Sequence, residues 1–418
     1  MMATLPTERQ LLYLYQSSIL FETFFLSKDS KSDKMSGELT SYWTKKNTMP
    51  YIESLKANNR FVLYIIITLM LLAPLCSCSK SEKPIPQNTE SEKLKWYKYE
   101  QEVFHGIPAK VTFALPQSKN SDALAAELIN QVKQIYLQID KTFNAYDQSS
   151  RLAKINSSPK NSKIKIFPDF KKAFDISQSI YTQSNGAFDP SIWPLKKLWS
   201  KAKKSNVLPG EKEIENARNM CGLNHLVVNN LTAHKKKAAL MLDFGGLVKG
   251  YAVDKITSLL ISRRVLNGLV QCGGEIRNFG KNNKGKHFKI GIQHPLVASK
   301  IYGYVSSKKT FAISTSGNYR QPILIGDKLY YHIFDPKSGQ PVSTDVLGVS
   351  VIFKGEEFAN AKADGWATAL AVLGVEQGLK MAERYDFEVM FLKQDKTSTD
   401  GIKAIMSRGF KSVFTRTE

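Results

Sequence analysis

Residues 61–75, FVLYIIITLMLLAPL, run fifteen positions without a charge and follow Lys56 and Arg60. A helix that crosses a bilayer needs about 20 apolar residues, so this run is short for a span and suits the core of an export signal. It divides the chain into an address and a body. Met49 opens a charged leader, MPYIESLKANNR, so residues 1–48 read as an upstream extension and 49–78 as the signal peptide. In the body beyond the signal, only Cys221 and Cys272 remain. A scaffold stapled by disulfides would carry more, so this body must stand on its own apolar core.

The signal ends in Leu75-Cys76-Ser77-Cys78, which resembles a bacterial lipobox. That resemblance implies cleavage before Cys78 and lipidation of its thiol. Cys76, behind Pro74 and Leu75, is the lesser candidate, and an uncleaved membrane anchor is the alternative. Either puts residues 80–418 outside the cytoplasm. The expected location is the bacterial cell envelope, anchored by lipid to the inner membrane and facing the periplasm. Residues 79–95 are polar, carry two prolines and read as a flexible tether.

The net charge is +22, of which residues 1–78 account for only +2. Nucleic acid is the reflex partner for such a balance. Here the lysines are scattered through turn-like segments (KAKKS, HKKKA, KNNKGK) without interleaved aromatics. A solvated basic surface facing an anionic membrane or cofactor is the expectation, with no nucleic acid.

From Trp96 onward, strands and helices mix without strict alternation, which favours an α+β class over a doubly wound sheet. AKVTFAL, HLVVN, AALMLD, GLVQC, HFKIGIQ, GVSVIF, FEVMFL and YYHIF read as strands. Leu124, Leu128, Val132, Ile135, Ile139 and Phe143 recur at helical spacing behind Ser121 or Asp122 as cap. Further helices are expected from Phe170 to Ser184, after Lys249 and around 360–384. No repeat and no domain linker is visible after residue 95.

Glycine turns with polar or aromatic neighbours recur along this body. DFGGLVKGYAVDKI, 243–256, joins a strand to a helix through Gly245-Gly246, where backbone can approach a ligand closely. It matches neither a Walker loop nor a dinucleotide fingerprint, and a plain tight turn explains it equally. In NAKADGWATALAVLG, 360–374, Asp364 and Thr368 lie four apart on one helix face. Carboxylate, hydroxyl and a carbonyl from elsewhere could hold Mg²⁺; alternatively, Asp364 caps the helix and Thr368 bonds back to its own turn. Phe188 in NGAFDP and Tyr146 in FNAYDQSSRLAKIN could sandwich a planar ring or fill the core. CGGEIRNFG, 272–280, STSGNYRQP, 314–322, and HIFDPKSGQP, 332–341, complete the set. Polar loops of this kind suggest one shared crevice for a nucleotide or flavin.

The order of these motifs resembles that of the ApbE family, the FAD:protein FMN transferases. YDQSSRLAKIN is similar to its Y-[DN]-x-x-S-x-[IL] segment, GAFDPSIWPLKKLW to its GxFDxTxxPLxxLW, and DFGGLVKGYAVD to its D-[LF]-[GS]-x-[IL]-x-[KE]-G-Y-[AG]-x-D. QCGGEIRNFG, TSGNYR, HIFDPKSGQPV and ADGWATAL follow in the family's order, over about residues 96–415. One departure stands out: the family's M-G-T strand motif is here HGIPAKVTF, with His105 and Ile107 flanking Gly106 in place of Met and Thr.

The resemblance implies an ApbE-like, T-fold-related single large domain over 96–418. It further implies Mg²⁺ held by the Gly246 carbonyl, Asp364 and Thr368. Flavin contacts would fall on Tyr146, Ala187, Phe188, Asp189, Asp243 and Lys249, with Ile333 or Phe334 near a ring. His332 or Asp364 would take the proton of the attacking hydroxyl, with the turn at 335–339 bringing His332 and Asp335 to the crevice. The implied partners are FAD, the membrane through the lipid, and an acceptor protein bearing a flavinylated Thr or Ser. Subunits of sodium-pumping or Rnf-type redox complexes are examples of such acceptors. A Mg²⁺-dependent FAD pyrophosphatase and a non-catalytic FAD-binding lipoprotein are the rival readings.

Overall fold

The computed structural model describes residues 93–317, 323–355 and 357–417. The extension 1–48, the signal 49–78 with Cys78, and most of the tether lie outside them, as does the NYRQP segment. No helix among the described residues is long and apolar enough to cross a membrane.

Eight strands form the main sheet: β1 (Leu94–Val103), β2 (Ile107–Pro116), β3 (Asn267–Cys272), β4 (Glu275–Phe279), β5 (Phe311–Gly317), β6 (Val346–Lys354), β7 (Glu388–Gln394) and β8 (Ile402–Met406). Their order in space is their order in the chain, and every neighbouring pair is antiparallel. This bears out the α+β class. Strand β1 starts at Leu94, so the tether ends earlier than its composition suggests.

Alternation along the central strands sorts side chains between two cores. Val389 and Phe391 of β7 face the helices, while Met390 and Leu392 face a small sheet built from Lys289–Gln293, Ile301–Ser306 and Phe414–Arg416. Strand β6 is therefore buried almost end to end, which explains a sequence apolar but for Ser350, whose hydroxyl pairs with that of Thr315, and the final Lys354.

Five longer helices build the other layer: α1 (Ser121–Phe143), α2 (Pro168–Gln183), α3 (Trp193–Ser205), α4 (Val248–Ser262) and α5 (Ala359–Arg384). Helix α1 buries Leu128, Val132, Ile139 and Phe143, as the periodicity predicts. Its expected cap does not form, because Ser121 Oγ donates instead to the Pro116 carbonyl, tying the helix to β2. AALMLD is not a strand either. Only Met241 makes a bridge, to Ile192, because side chains take the neighbouring backbone groups: Asn156 pairs with the Leu242 amide and carbonyl, and Lys235 donates to the Ala238 and Leu240 carbonyls.

Helices α4 and α5 are locked together. A Cβ on Gly250 would stand 2.2 Å from the Asn360 carbonyl oxygen, so this crossing requires glycine. Asp254 of α4 accepts from the backbone amides of Asn360 at 3.2 Å and Ala361 at 2.8 Å, capping α5 from a neighbouring helix. Arg277 of β4 pairs with the same carboxylate. Amides, carboxylate and guanidinium thus satisfy one another in a dry place.

Candidate functional site

A cavity of about 610 Å³ opens where the β1–β2 turn, the loops after α1 and α2, the entry to α4 and the β3–β4 turn converge. This volume lies in the range of roughly 300–1,000 Å³ typical of ligand pockets. All twelve site residues expected within the body line it: Tyr146, Ala187, Phe188, Asp189, Asp243, Gly246, Lys249, His332, Ile333, Phe334, Asp364 and Thr368. The divergent HGIPAKVTF segment also reaches the cavity, through His105 and Ile107.

Its floor is where α4 and α5 cross. Asp364 and Thr368 are one turn apart on α5, and Thr368 Oγ1 donates to the Asp364 carbonyl at 3.2 Å. Gly246, at the entry to α4, lies against that hydroxyl: a Cβ there would stand 3.1 Å from Thr368 Oγ1 and 3.3 Å from the Phe188 ring. A side chain here would crowd the Thr368 hydroxyl, so glycine keeps that space open. Asp364 is buried and accepts from the Gly250 amide at 3.1 Å.

Lys249 Nζ joins this group, 3.1 Å from each Asp364 oxygen, 3.0 Å from the Gly245 carbonyl and 3.7 Å from Glu275 Oε1. Burial pulls the ammonium's pKa down, but the carboxylates of Asp364 and Glu275 outweigh it and hold Lys249 well above the usual lysine value. Lysine therefore stays charged, bringing a fixed cation to the floor. Burial raises the nearby Cys272 thiol far above its usual value, which leaves it an inert core residue.

The side wall carries a second pair. Asp243 accepts from Lys196 and, at 2.9 Å, from the Gly245 amide, which shapes the glycine turn. Burial depresses the Lys196 ammonium, yet Asp243 and then Tyr146 keep it above its ordinary range. Asp189 is engaged within its own loop. Its carboxylate accepts from the Ser191 amide at 2.8 Å and hydroxyl at 2.6 Å, and Ser191 Oγ in turn accepts from the Gly222 amide. Burial pushes the Asp189 carboxyl up, against those hydrogen bonds.

The two aromatics expected to sandwich a ring differ sharply. Tyr146 is 67% exposed at the mouth, held edge-on against Trp193 with centroids 4.7 Å apart. Phe188 is 4% exposed and belongs to the main core. Its edge reaches the cavity while its body supports the floor.

YYHIF is not a strand. The strand Lys328–Tyr330 ends on its first residue, and beyond that only Phe334 pairs, with Pro341. The hairpin hydrogen bonds stop at Tyr330 because the chain turns inward there, so that Ile333 and Phe334 can bury against the cavity and Trp199. The tight turn itself forms, but Asp335 does not line the cavity. Its carboxylate accepts from the Lys337 amide at 2.9 Å and the Ser338 amide at 3.3 Å, capping the turn. The Gly339 carbonyl accepts from Trp199 Nε1 at 3.0 Å, which docks the turn on α3 and fixes the segment that carries His332.

Sequence reasoning passed over Glu275, Lys196, His105 and Thr315, all of which line the cavity. Glu275 follows Gly273-Gly274 and Lys196 sits in PLKKLW, both quoted as motifs. A charge expected to be buried beside a glycine pair was the available signal.

The ApbE family model matches residues 105–391. A FAD:protein FMN transferase of Chlamydia muridarum is 32% identical over 272 residues, covering 64% of this chain and 84% of that protein. One from Vibrio cholerae is 29% identical over 287 residues, covering 68% and 84%. Among solved structures, flavin transferase ApbE from Vibrio cholerae aligns with a TM-score of 0.65 at 25% identity, over 77% of this chain and all of that one. The apo form of the Pseudomonas stutzeri flavinyl transferase ApbE aligns at 0.66 and 29%, over 77% and 97%.

Proposed function

The chain belongs to the ApbE family, and on that footing we propose that it is a Mg²⁺-dependent FAD:protein FMN transferase. The observation that carries this reading is the crossing of α4 and α5. One buried carboxylate, one hydroxyl and one glycine turn meet there beside a charged lysine, on the floor of a flavin-sized cavity.

The donor set suits a hard cation: Asp364, the Thr368 hydroxyl and the Gly246 carbonyl are all oxygens, and the glycine leaves the room a side chain would fill. Bound Mg²⁺ would neutralise charge on the pyrophosphate of FAD. Lys249 brings a second positive charge to the same phosphates, since its pairing keeps it protonated. Tyr146 covers the ring at the mouth, and Phe188, Ile333 and Phe334 supply apolar walls.

The acceptor's Thr or Ser oxygen forms a new bond to the FMN-side phosphorus while the bond to the AMP oxygen breaks. FMN stays attached as a phosphoester and AMP leaves. His332 accepts the hydroxyl proton and passes it to solvent. The acceptor is an exported redox protein, of the kind found in sodium-pumping or Rnf-type complexes. The enzyme meets it on the periplasmic side of the inner membrane, tethered through Cys78.

The test is mass spectrometry of such an acceptor after incubation with the chain from residue 80, FAD and Mg²⁺. A mass gain of FMN less water on one Thr or Ser, with matching AMP, is expected. AMP release with no labelled acceptor would instead make the protein a pyrophosphatase. Intact FAD would reduce it to a binding protein.

A further inference from the structure

Beside the cavity stands an apolar surface that the chemistry above does not use. The antiparallel hairpin of Ile323–Ile325 and Lys328–Tyr330 pairs Leu324 directly with Leu329. Ile323, Ile325 and Tyr330 pack onto the cluster of Trp199 and Phe334. Leu324 and Leu329 remain 52% and 61% exposed. The Gly326 amide donates to Asn206 Oδ1 at 2.7 Å, pinning the hairpin to the end of α3. The next two residues, Val207 and Leu208, are 64% and 52% exposed. Four large apolar side chains gathered at one place mark a surface that is covered in use.

Its rim is basic. Helix α3 carries five lysines and no acid; at the end that meets the hairpin Lys201, Lys203 and Lys204 are exposed, with Lys201 3.8 Å from Glu213 of the neighbouring helix. On the hairpin itself, exposed Lys328 sits beside exposed Asp327, so the net positive charge of the rim comes from α3. A second copy of this chain would bring the same positive rim and be repelled. An occupant with apolar side chains ringed by acids would be drawn in.

We propose that this surface seats the acceptor protein, by an apolar contact on Leu324, Leu329, Val207 and Leu208 within an acidic ring that meets the α3 lysines. The inference rests on the transferase reading, because only that reaction requires a polypeptide to be held at the cavity. Continuity with the site identifies the occupant. Leu329 is three residues from His332, so the patch and the cavity wall are at most about 11 Å apart along the chain. A protein resting on the hairpin has its neighbouring loop at the cavity mouth.

The test uses two variants, Leu324→Glu/Leu329→Glu and Lys201→Ser/Lys203→Ser/Lys204→Ser. All five positions are exposed. The probe is a flavin-free subunit of a sodium-pumping redox complex that normally carries phosphoester-linked FMN. FMN transfer is measured against acceptor concentration, and slow AMP release to water is measured without acceptor. The expected result is an acceptor KM raised about ten-fold or more in each variant. The KM for FAD and the water reaction should stay within about two-fold of the parent. Unchanged acceptor KM in both variants overturns the proposal. So does unchanged acceptor KM with lost binding to phosphatidylglycerol vesicles, which would make the patch a membrane contact. If the parent releases AMP but never labels the acceptor, the transferase reading itself falls and the docking proposal falls with it.

Discussion

The ammonium of Lys249 lies 3.1 Å from both carboxylate oxygens of Asp364. The two residues come from different helices, 115 positions apart, and only the tight crossing at Gly250 brings them together. The charge balance of the cavity floor depends on that contact.

Asp364→Ala removes the carboxylate assigned to the metal. FMN transfer should fall on the order of 10²-fold or more, as when a single group that stabilises transition-state charge is deleted. FAD should still bind measurably, because the apolar walls and Tyr146 are untouched. Transfer and AMP release are followed with Mg²⁺, with EDTA and with the variant. Transfer surviving both treatments would sink the metal-assisted reading.

Lys249→Met leaves the buried Asp364 and Glu275 facing each other without a cation. Breaking such a pair costs about 3 kcal/mol. The folded lysine's pKa is raised above its unfolded value, so its stabilising contribution is complete below about pH 10. That contribution is lost as the pH climbs through the folded value. Urea unfolding of both proteins should therefore show a constant gap from about pH 7 to 9, narrowing above pH 10. A gap that already closed near neutrality would mean the lysine is unpaired.

Tyr146→Ala and Phe188→Ala should separate binding from folding. Exposed Tyr146 should lose about 0.5–1.5 kcal/mol of FAD affinity at unchanged stability. Buried Phe188 should lose about 3–5 kcal/mol of stability, because its removal opens a cavity under the floor. Calorimetric titration with FAD and thermal melts of both variants decide it. A Phe188→Ala protein that melts like the parent would move that ring out of the core.

Cys78→Ser tests the anchor. The variant should leave the membrane fraction or keep its signal uncleaved. A variant that fractionates and migrates like the parent would exclude lipidation at this thiol.

Much of this site was legible because its parts are local. The i,i+4 pair Asp364 and Thr368, the glycine turn at 245–246 and the helix period of α1 each lie within a few consecutive residues. What could not be read depends on distant partners. Asp189 looks identical in sequence whether it faces a ligand or bonds Ser191, and Asp335 whether it reaches a crevice or caps its own turn. Aromatics are equally mute: Tyr146 and Phe188 both follow helices, and only packing separates mouth from core. YYHIF has strand composition, yet the pull of Ile333 and Phe334 toward buried apolar surroundings overrides it.

The main sheet runs in chain order but with one great interruption. Strand β2 pairs with β3 across some 150 intervening residues, as in the partnership of Val111 with Val270. Closing that loop costs more chain entropy than any other step in the sheet, and strands β3 to β8 can pair without it. The Gly273 amide, on one cavity wall, donates to the Pro108 carbonyl beside another at 2.8 Å, so this same closure completes the pocket. Recovery of FAD binding on refolding should therefore lag behind recovery of strand signal by circular dichroism, and simultaneous recovery would refute this order. During synthesis from the N-terminus, the β1–β2 hairpin must wait with an open edge until β3 has been made. Competence would then come at the end of biogenesis, which keeps a half-made enzyme from capturing flavin.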